Sequence, residues 1–237
     1  MVLRTVHDEN ARALRFHAGR ADVVVNGFSP TLLPALTQAK GVNVTARPGA
    51  NLTYLLARTD RGPLGDPRVR RALSLGIDRA TIVRALLAGR GQPAGTLLPP
   101  TLWAHVPREP LPYDPTAARR LLDEAGARGL RLSLLTSTER SRRTLALTMA
   151  QNLAEIGVEL EVISLELGAM IARLSNGDFE LASLQIPEIT EPNVLRVFLH
   201  SASIPPAGAN RARIQDADVD RLLDESDALR DLSLIHI

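Results

Sequence analysis

Cysteine is absent from the 237 residues, which excludes disulfides, thiolate metal sites and cysteine nucleophiles. Lysine is nearly absent as well: Lys40 stands alone among 28 basic residues, the rest being Arg. That bias reads as GC-rich coding and not as a nucleic-acid footprint, because 26 acidic residues bring the net charge to +2. Aromatics make up only 3%, leaving few rings on which bases could stack. No nucleic-acid partner is expected. No run approaches the roughly 18 uncharged apolar residues of a membrane span. The first residues, MVLRTVHDENARALRFHAG, lack an apolar core behind a basic segment and so do not read as a signal peptide. What remains is 45% hydrophobic and 23% charged, the composition of a globular protein. The length suits one large domain or one and a half ordinary ones.

Both ends read as cut. The beginning resembles the middle of a lobe, a short strand followed by a helix. At the other end, the helical pattern VDRLLDESDALRD runs to Asp231 and meets LSLIHI, Leu232–Ile237, with no cap or loop between. Those six residues correspond to the translated end of a common transposase-based sequencing adapter, so a non-native tail is expected. The alternative is a short apolar terminal strand.

Gly and Pro punctuation divides the rest. A helix over 9–18 is closed by Gly19, with Leu14 and Phe16 on its apolar side; Ala21–Val25 reads as a short buried strand. Ser29 and Pro30 open a helix to Lys40 and Gly41, VNVTA follows as a strand, and LTYLLAR reads as another. Asp66-Pro67 and Asp78 start two helices, with Val69, Leu73 and Ile77 on one face and Gly89 as the stop. Residues 91–112 hold six prolines and read as an extended loop. Asp114-Pro115 opens a third helix. Regular alternation follows: strand LRLSLLTS, a helix over about 138–156, strand VELEVISL, helix LGAMIARLSNG and strand FELASLQI. Strand and helix at this spacing predict βαβ units on a mostly parallel sheet, an α/β fold.

Catalytic signatures are thin. There is no G-x-S-x-G, H-E-x-x-H or G-K-[ST]. GRGQPAG, Gly89–Gly95, follows a helix and reads as a turn. The five histidines, His7, His17, His105, His200 and His236, are scattered without ligand spacing, so no metal is expected. The Arg clusters at 68–71 and 139–143 read as solvated helix faces rather than phosphate patches. One constellation stands apart. FELASLQIPEITEPN places Glu188 and Glu191 in a loop just after a strand, where open α/β sheets bind ligands. A partly buried carboxylate there would suit an ammonium group; an ordinary exposed loop acid is the plainer alternative.

Several stretches resemble family 5 extracellular solute-binding proteins, the oligopeptide-, dipeptide- and nickel-binding class that serves ABC importers. DPRVRRALSLGIDRATIVRALLAGRGQPAGTLLPP, Asp66–Pro100, looks like the family's signature. YDPTAARRLLDEAG, MAQNLAEIGVELEV, LSNGDFELASLQ and GANRARIQDADVDRLLDES continue the resemblance in order, and ALRFHAGRADVVVNG extends it upstream. The resemblance implies a periplasmic-binding-protein-like, class II venus-flytrap fold, about twice the length of this chain. Residues 1–53 would end the first lobe, 54–231 would form most of the second, and 232–237 would be the tail.

In peptide-binding members, the strand corresponding to LASLQ is followed by a Trp and, three residues on, an acid that pairs with the peptide's α-amino group. Here those positions are Gln185 and Glu188, so the acid is kept and the aromatic is not. Asn26 and Phe28, just after the first-lobe strand, would face the cleft, against the plainer reading of a turn and a packed aromatic. Tyr54 would line the cleft or the hinge. Trp103 reads as a packing anchor; Asp66, Arg70 and Asp78 read as helix caps and ion pairs. The implied function is non-catalytic: a monomer without cofactor, outside the cytoplasmic membrane or in the periplasm. It would hold a peptide or small polar solute between two lobes and pass it to ABC permease subunits. Because the cleft needs both lobes, weak or no binding is expected of this chain alone. A ligand-sensing domain of a transcription regulator is the alternative, and an enzyme a distant third.

Overall fold

The computed structural model describes residues 2–25 and 27–228. They form two compact units: one comprises the residues up to Pro48 together with Arg79–Pro93, the other Gly49–Asp78 and the chain from Ala94 onward.

The first unit is helical. Helix α1 spans Glu9–His17 and is capped by Asp8, whose carboxylate accepts from the Ala11 N–H at 2.7 Å. Gly19, with φ of +65°, lets the chain leave the helix. Arg12 ties the chain down on both sides of α1: its Nε donates to the Gly27 carbonyl at 2.8 Å and its Nη1 to that of Val6 at 2.6 Å. Helix α2 is limited to Leu33–Thr37 and α4 spans Arg79–Leu86; α3 belongs to the second unit.

Two expectations fail in this unit. Ala21–Val25 and Val42–Ala46 are not strands. A strand exists only as one of a hydrogen-bonded pair, and the described residues of this unit offer neither segment a partner. Val23 and Val25 are accordingly 76% and 77% exposed, and Leu14, expected on an apolar face, is 69% exposed. The Ser29 start also shifts: Ser29 accepts the Leu32 N–H through its carbonyl, and its hydroxyl meets Thr31 at 3.0 Å instead of capping a helix.

The second unit carries the sheet. Strands β1 (Leu52–Ala57), β2 (Arg131–Ser137), β3 (Glu159–Leu165) and β4 (Leu181–Ile186) lie in the order β1-β4-β2-β3. β2 runs parallel to both β3 and β4, and β1 pairs antiparallel with β4. The helices are α3 (Pro67–Leu75), α5 (Pro115–Glu124), α6 (Arg140–Ala154), α7 (Leu167–Asn176), α8 (Val194–Leu199) and α9 (Ala217–Ala228).

Their boundaries follow the expected chemistry. Asp66 and Asp114 cap α3 and α5 ahead of Pro67 and Pro115, accepting from Arg68 N and Ala117 N at 2.8 Å each. Glu139 and Glu166 cap α6 and α7 in the same way. Gly126, Gly157 and Gly177, all with positive φ, close α5, α6 and α7.

Alternation along the strands divides the core between two faces. Leu135 and Ala182 point to one face, where they join Met170, Leu174 and Phe179, with Leu56 and Leu184 packed alongside. Leu134 and Leu181, fully buried and in register, point to the other. Gly76, at the end of α3, packs closely on α6: a Cβ there would lie 2.7 Å from Ile156 Cδ1 and 3.0 Å from Leu153 Cδ2.

Candidate functional site

Strands β2, β3 and β4 are parallel, so their carboxyl ends share one edge of the sheet. A carboxylate follows each of them: Glu139 after β2, Glu166 after β3 and Glu188 after β4. The first two are occupied. Glu139 accepts from the Ser141 N–H at 3.0 Å, the Ser141 hydroxyl at 2.5 Å and the Arg142 N–H at 3.2 Å. Burial works against its ionised form, but these hydrogen bonds outweigh it and hold its carboxyl below the usual range. Glu166 accepts from the Gly168 N–H at 2.7 Å. Glu188 is exposed, and its carboxylate makes no hydrogen bond or ion pair among the described residues. Its loop is nevertheless fixed, because the next residue, Ile189, is 2% exposed and its N–H donates to the Ala50 carbonyl at 3.0 Å.

The register decides which other residues accompany Glu188. Gln185 stands opposite Thr53, and Tyr54 opposite Leu184. Directly opposed residues share a face and neighbours alternate, so Gln185 and Tyr54 lie on opposite faces and are not brought together. Burial reduces the acidity of the Tyr54 hydroxyl; the nearby Arg211 guanidinium partly offsets this. Phe28 lies in the first unit and packs on Phe16, ring centroids 6.2 Å apart. Asn26 lies outside the described residues.

Other expectations sort by their partners. Asp66 caps α3 and pairs with Arg68 at 2.6 Å, while Arg70 is held by the carbonyls of Leu64 and Gly65. Trp103 is 73% exposed, so it is not a packing anchor: its loop holds Leu102 in the core and turns the indole outward.

Three features escaped sequence reasoning. Thr136 and Ser183 follow the paired Leu134 and Leu181 by two residues each, on the same face near the carboxyl ends of β2 and β4. Both are buried, with hydroxyls lacking hydrogen-bond partners; an apolar strand pattern hides such groups. Helix α8 is short and amid loop residues, and a capping side chain does not announce it. Asn210 is fully buried and stitches the chain after α8: its Nδ2 donates to the carbonyls of Leu199, His200 and Ile214 at 3.3, 3.0 and 2.9 Å, and its Oδ1 accepts the Ile214 N–H at 3.0 Å.

The segment stitched by Asn210 also reaches the end of β1. Ala212 offers its carbonyl to both the N–H and the hydroxyl of Thr59, each at 2.9 Å. Helix α9 is docked through Asp220, which accepts the Ser201 N–H at 2.9 Å, and through Asp224, 2.5 Å from Arg196. No helix of the described residues is long and apolar enough to cross a membrane.

Known proteins are similar to this chain in sequence and in fold. A dipeptide-binding protein of Pseudomonas aeruginosa is 32% identical over 180 residues, 73% of this chain and 34% of that protein. Heme-binding protein A of Haemophilus influenzae is 28% identical over 236 residues, covering 95% and 42%. Among solved structures, a dipeptide binding protein from Pseudoalteromonas in complex with Met-Leu matches with a TM-score of 0.83 at 28% identity, over 97% of this chain and 46% of that one. The periplasmic binding protein DppA from Helicobacter pylori, in complex with the peptide STSA, matches in fold with a TM-score of 0.87 at 24% identity, covering 97% and 46%.

The α/β fold is thus that of periplasmic binding proteins, and the chain spans about a third of the length of the dipeptide-binding relatives it matches. The model of the bacterial extracellular solute-binding proteins, family 5 Middle, matches residues 1–203. The chain belongs to family 5 of the bacterial extracellular solute-binding proteins.

Proposed function

We propose that this chain is part of the solute-binding component of an ABC-type importer, and that the protein holds a peptide-like solute between two lobes for delivery to a membrane permease. On this reading residues 1–53 end the first lobe and 54–231 form most of the second, and the protein works in the periplasm or on the outer face of the membrane. The lobes close by hinge motion around the solute; no bond is made or broken. Family membership supports the transport role, and the peptide ligands named for its relatives support the solute class.

The observation that carries the site is the Glu188 carboxylate. Among the first acids to follow β2, β3 and β4, Glu188 alone is not taken up by a helix N-terminus; Glu191, further along the same loop, is likewise exposed and makes no side-chain hydrogen bond or ion pair among the described residues. Its loop is pinned by the buried Ile189, so the acid is presented from a fixed backbone. An α-amino group brought there by lobe closure forms a charge-assisted pair that strengthens as water leaves. Gln185, on β4, and Asn26 and Phe28, in the first unit, are proposed as further contacts; Tyr54, on the sheet face opposite Gln185, is proposed to line the hinge.

The reading frame that carries this chain, expressed from its own start to its own stop, is titrated calorimetrically with dialanine, trialanine and their N-acetylated forms. Binding of the free amines with at least tenfold preference over the acetylated peptides is expected. Equal affinity for both forms overturns Glu188 as the amine partner, and no binding to any peptide overturns the solute class. The 237-residue chain alone is expected to bind these peptides weakly or not at all.

A further inference from the structure

Beside the edge of β1 the second unit forms a partly open cavity of about 230 Å³. Tyr54 and Leu56 come from β1, Ile189 from the loop after β4, Val194 and Phe198 from α8, and Ile214 from the segment stitched by Asn210. The lining is almost wholly apolar. Two cations border it, Arg70 and Arg211, and no carboxylate does. Arg70 is already engaged by the Leu64 and Gly65 carbonyls at 2.8 and 2.9 Å.

Arg211 is not engaged. Its Nε is buried and has no hydrogen-bond partner, and its guanidinium forms no ion pair among the described residues. A guanidinium carries five donors and stays charged. Arg211 is half-buried, and a buried Nε–H without an acceptor costs free energy that a ligand carboxylate recovers. The backbone holds Arg211 in place: Asn210 is locked by its buried hydrogen bonds, and the Arg211 N–H donates to the Ala209 carbonyl at 2.7 Å.

We propose that this cavity binds a small apolar carboxylate, its carboxylate on Arg211 and its apolar body against Val194, Phe198 and Ile189. Size and charge agree on this occupant. A water-sized group takes about 30 Å³, so the space holds about seven or eight such groups, the bulk of a six-carbon acid or of a leucine residue. A planar carboxylate matches the guanidinium fork in bidentate fashion. The same chemistry is offered by a free short-chain acid and by the carboxyl-terminal residue of a peptide. Every lining residue belongs to the second unit and Glu188 is not among them, so binding here does not require the Glu188 carboxylate.

The test is an amide-resolved NMR titration of the 237-residue chain with hexanoate, hexanamide and N-acetyl-leucine. Hexanoate is expected to shift the Ile189 and Arg211 amides at millimolar concentration or below, with hexanamide at least tenfold weaker. The Arg211→Gln variant, checked for an unchanged melting temperature, is expected to lose at least tenfold in hexanoate affinity. Should that variant fail to fold, Val194→Trp, which fills the cavity and leaves Arg211 intact, is expected to abolish binding. N-acetyl-leucine bound with the same Arg211 dependence assigns the site to peptide carboxyl ends; binding of hexanoate alone assigns it to free acids. Hexanamide binding as tightly as hexanoate, unchanged binding by Arg211→Gln or Val194→Trp, or no response to either acid overturns the proposal.

Discussion

Replacing Asn210 by Leu keeps the branched side-chain shape, with bulkier methyl ends, and removes all of its hydrogen bonds. The amide has two donor hydrogens and one acceptor oxygen, shared among the carbonyls of Leu199, His200 and Ile214 and the Ile214 N–H. Three bonds are therefore lost in a site that is fully buried at Asn210 and 7% exposed at His200. Each stranded backbone group costs about 1–3 kcal/mol. Because Leu199 and Ile214 retain some access to water, a total near 4 kcal/mol is expected, a large part of the roughly 5–15 kcal/mol that holds a domain folded. For a domain of this size that corresponds to a melting temperature lower by about 8–16 °C. Circular dichroism melts of parent and variant measure it. Asn210→Asp adds a second reading. Its ionised form can accept the Ile214 N–H but sets a negative charge against three carbonyls, whereas the protonated form can donate to one of them. Its deficit relative to the parent should therefore shrink as pH falls. A melting temperature lowered by less than 2 °C in Asn210→Leu would refute the reasoning.

Two further perturbations probe the packing and charge that hold the unit together. Gly76→Ala forces the ends of Leu153 and Ile156 to move and should cost about 1–3 kcal/mol, read as a shift in urea midpoint; no shift would mean that α3 and α6 are not packed as described. Asp220 is held below the usual carboxylate range by the Ser201 hydroxyl and N–H, and Asp224 by Arg196. A depressed folded pKa contributes stability above the unfolded value, near 3.8, and loses it as pH falls below that value toward the folded one. Urea midpoints should fall between pH 5 and pH 2.5, and should fall less in a double Asp220→Asn, Asp224→Asn variant; equal slopes would contradict the assignment.

The second unit was legible in the sequence because its punctuation is local chemistry. Asp-Pro starts α3 and α5, Gly with positive φ ends α5, α6 and α7, and β-branched or Leu runs between them have partners within the unit. The first unit was less legible for the converse reason. ADVVV has the composition of a buried strand, but strand formation depends on a neighbour that composition cannot supply, and Val23 and Val25 end up exposed. Glu188 could be singled out in the sequence because a carboxylate just past a strand of an α/β sheet is a positional signal; its role as amine partner is the proposal above. Arg211 was not, because one Arg among many in an Arg-rich chain carries no mark, and its isolation from any acid exists only once β1, α8 and residues 209–214 close around it. Gln185 and Tyr54 illustrate the limit between these cases: the strands were read correctly, yet only the β1–β4 register shows that the two side chains lie on opposite faces.

The central claim is that Glu188 recognises the amino group of a peptide-like solute. It is tested most directly by calorimetric titration of dialanine into the product of the complete reading frame and into its Glu188→Gln variant. The account predicts a loss of about 2–5 kcal/mol of binding, together with loss of the preference over N-acetyl-dialanine. An affinity unchanged by the substitution, with the preference for the free amine intact, would contradict it.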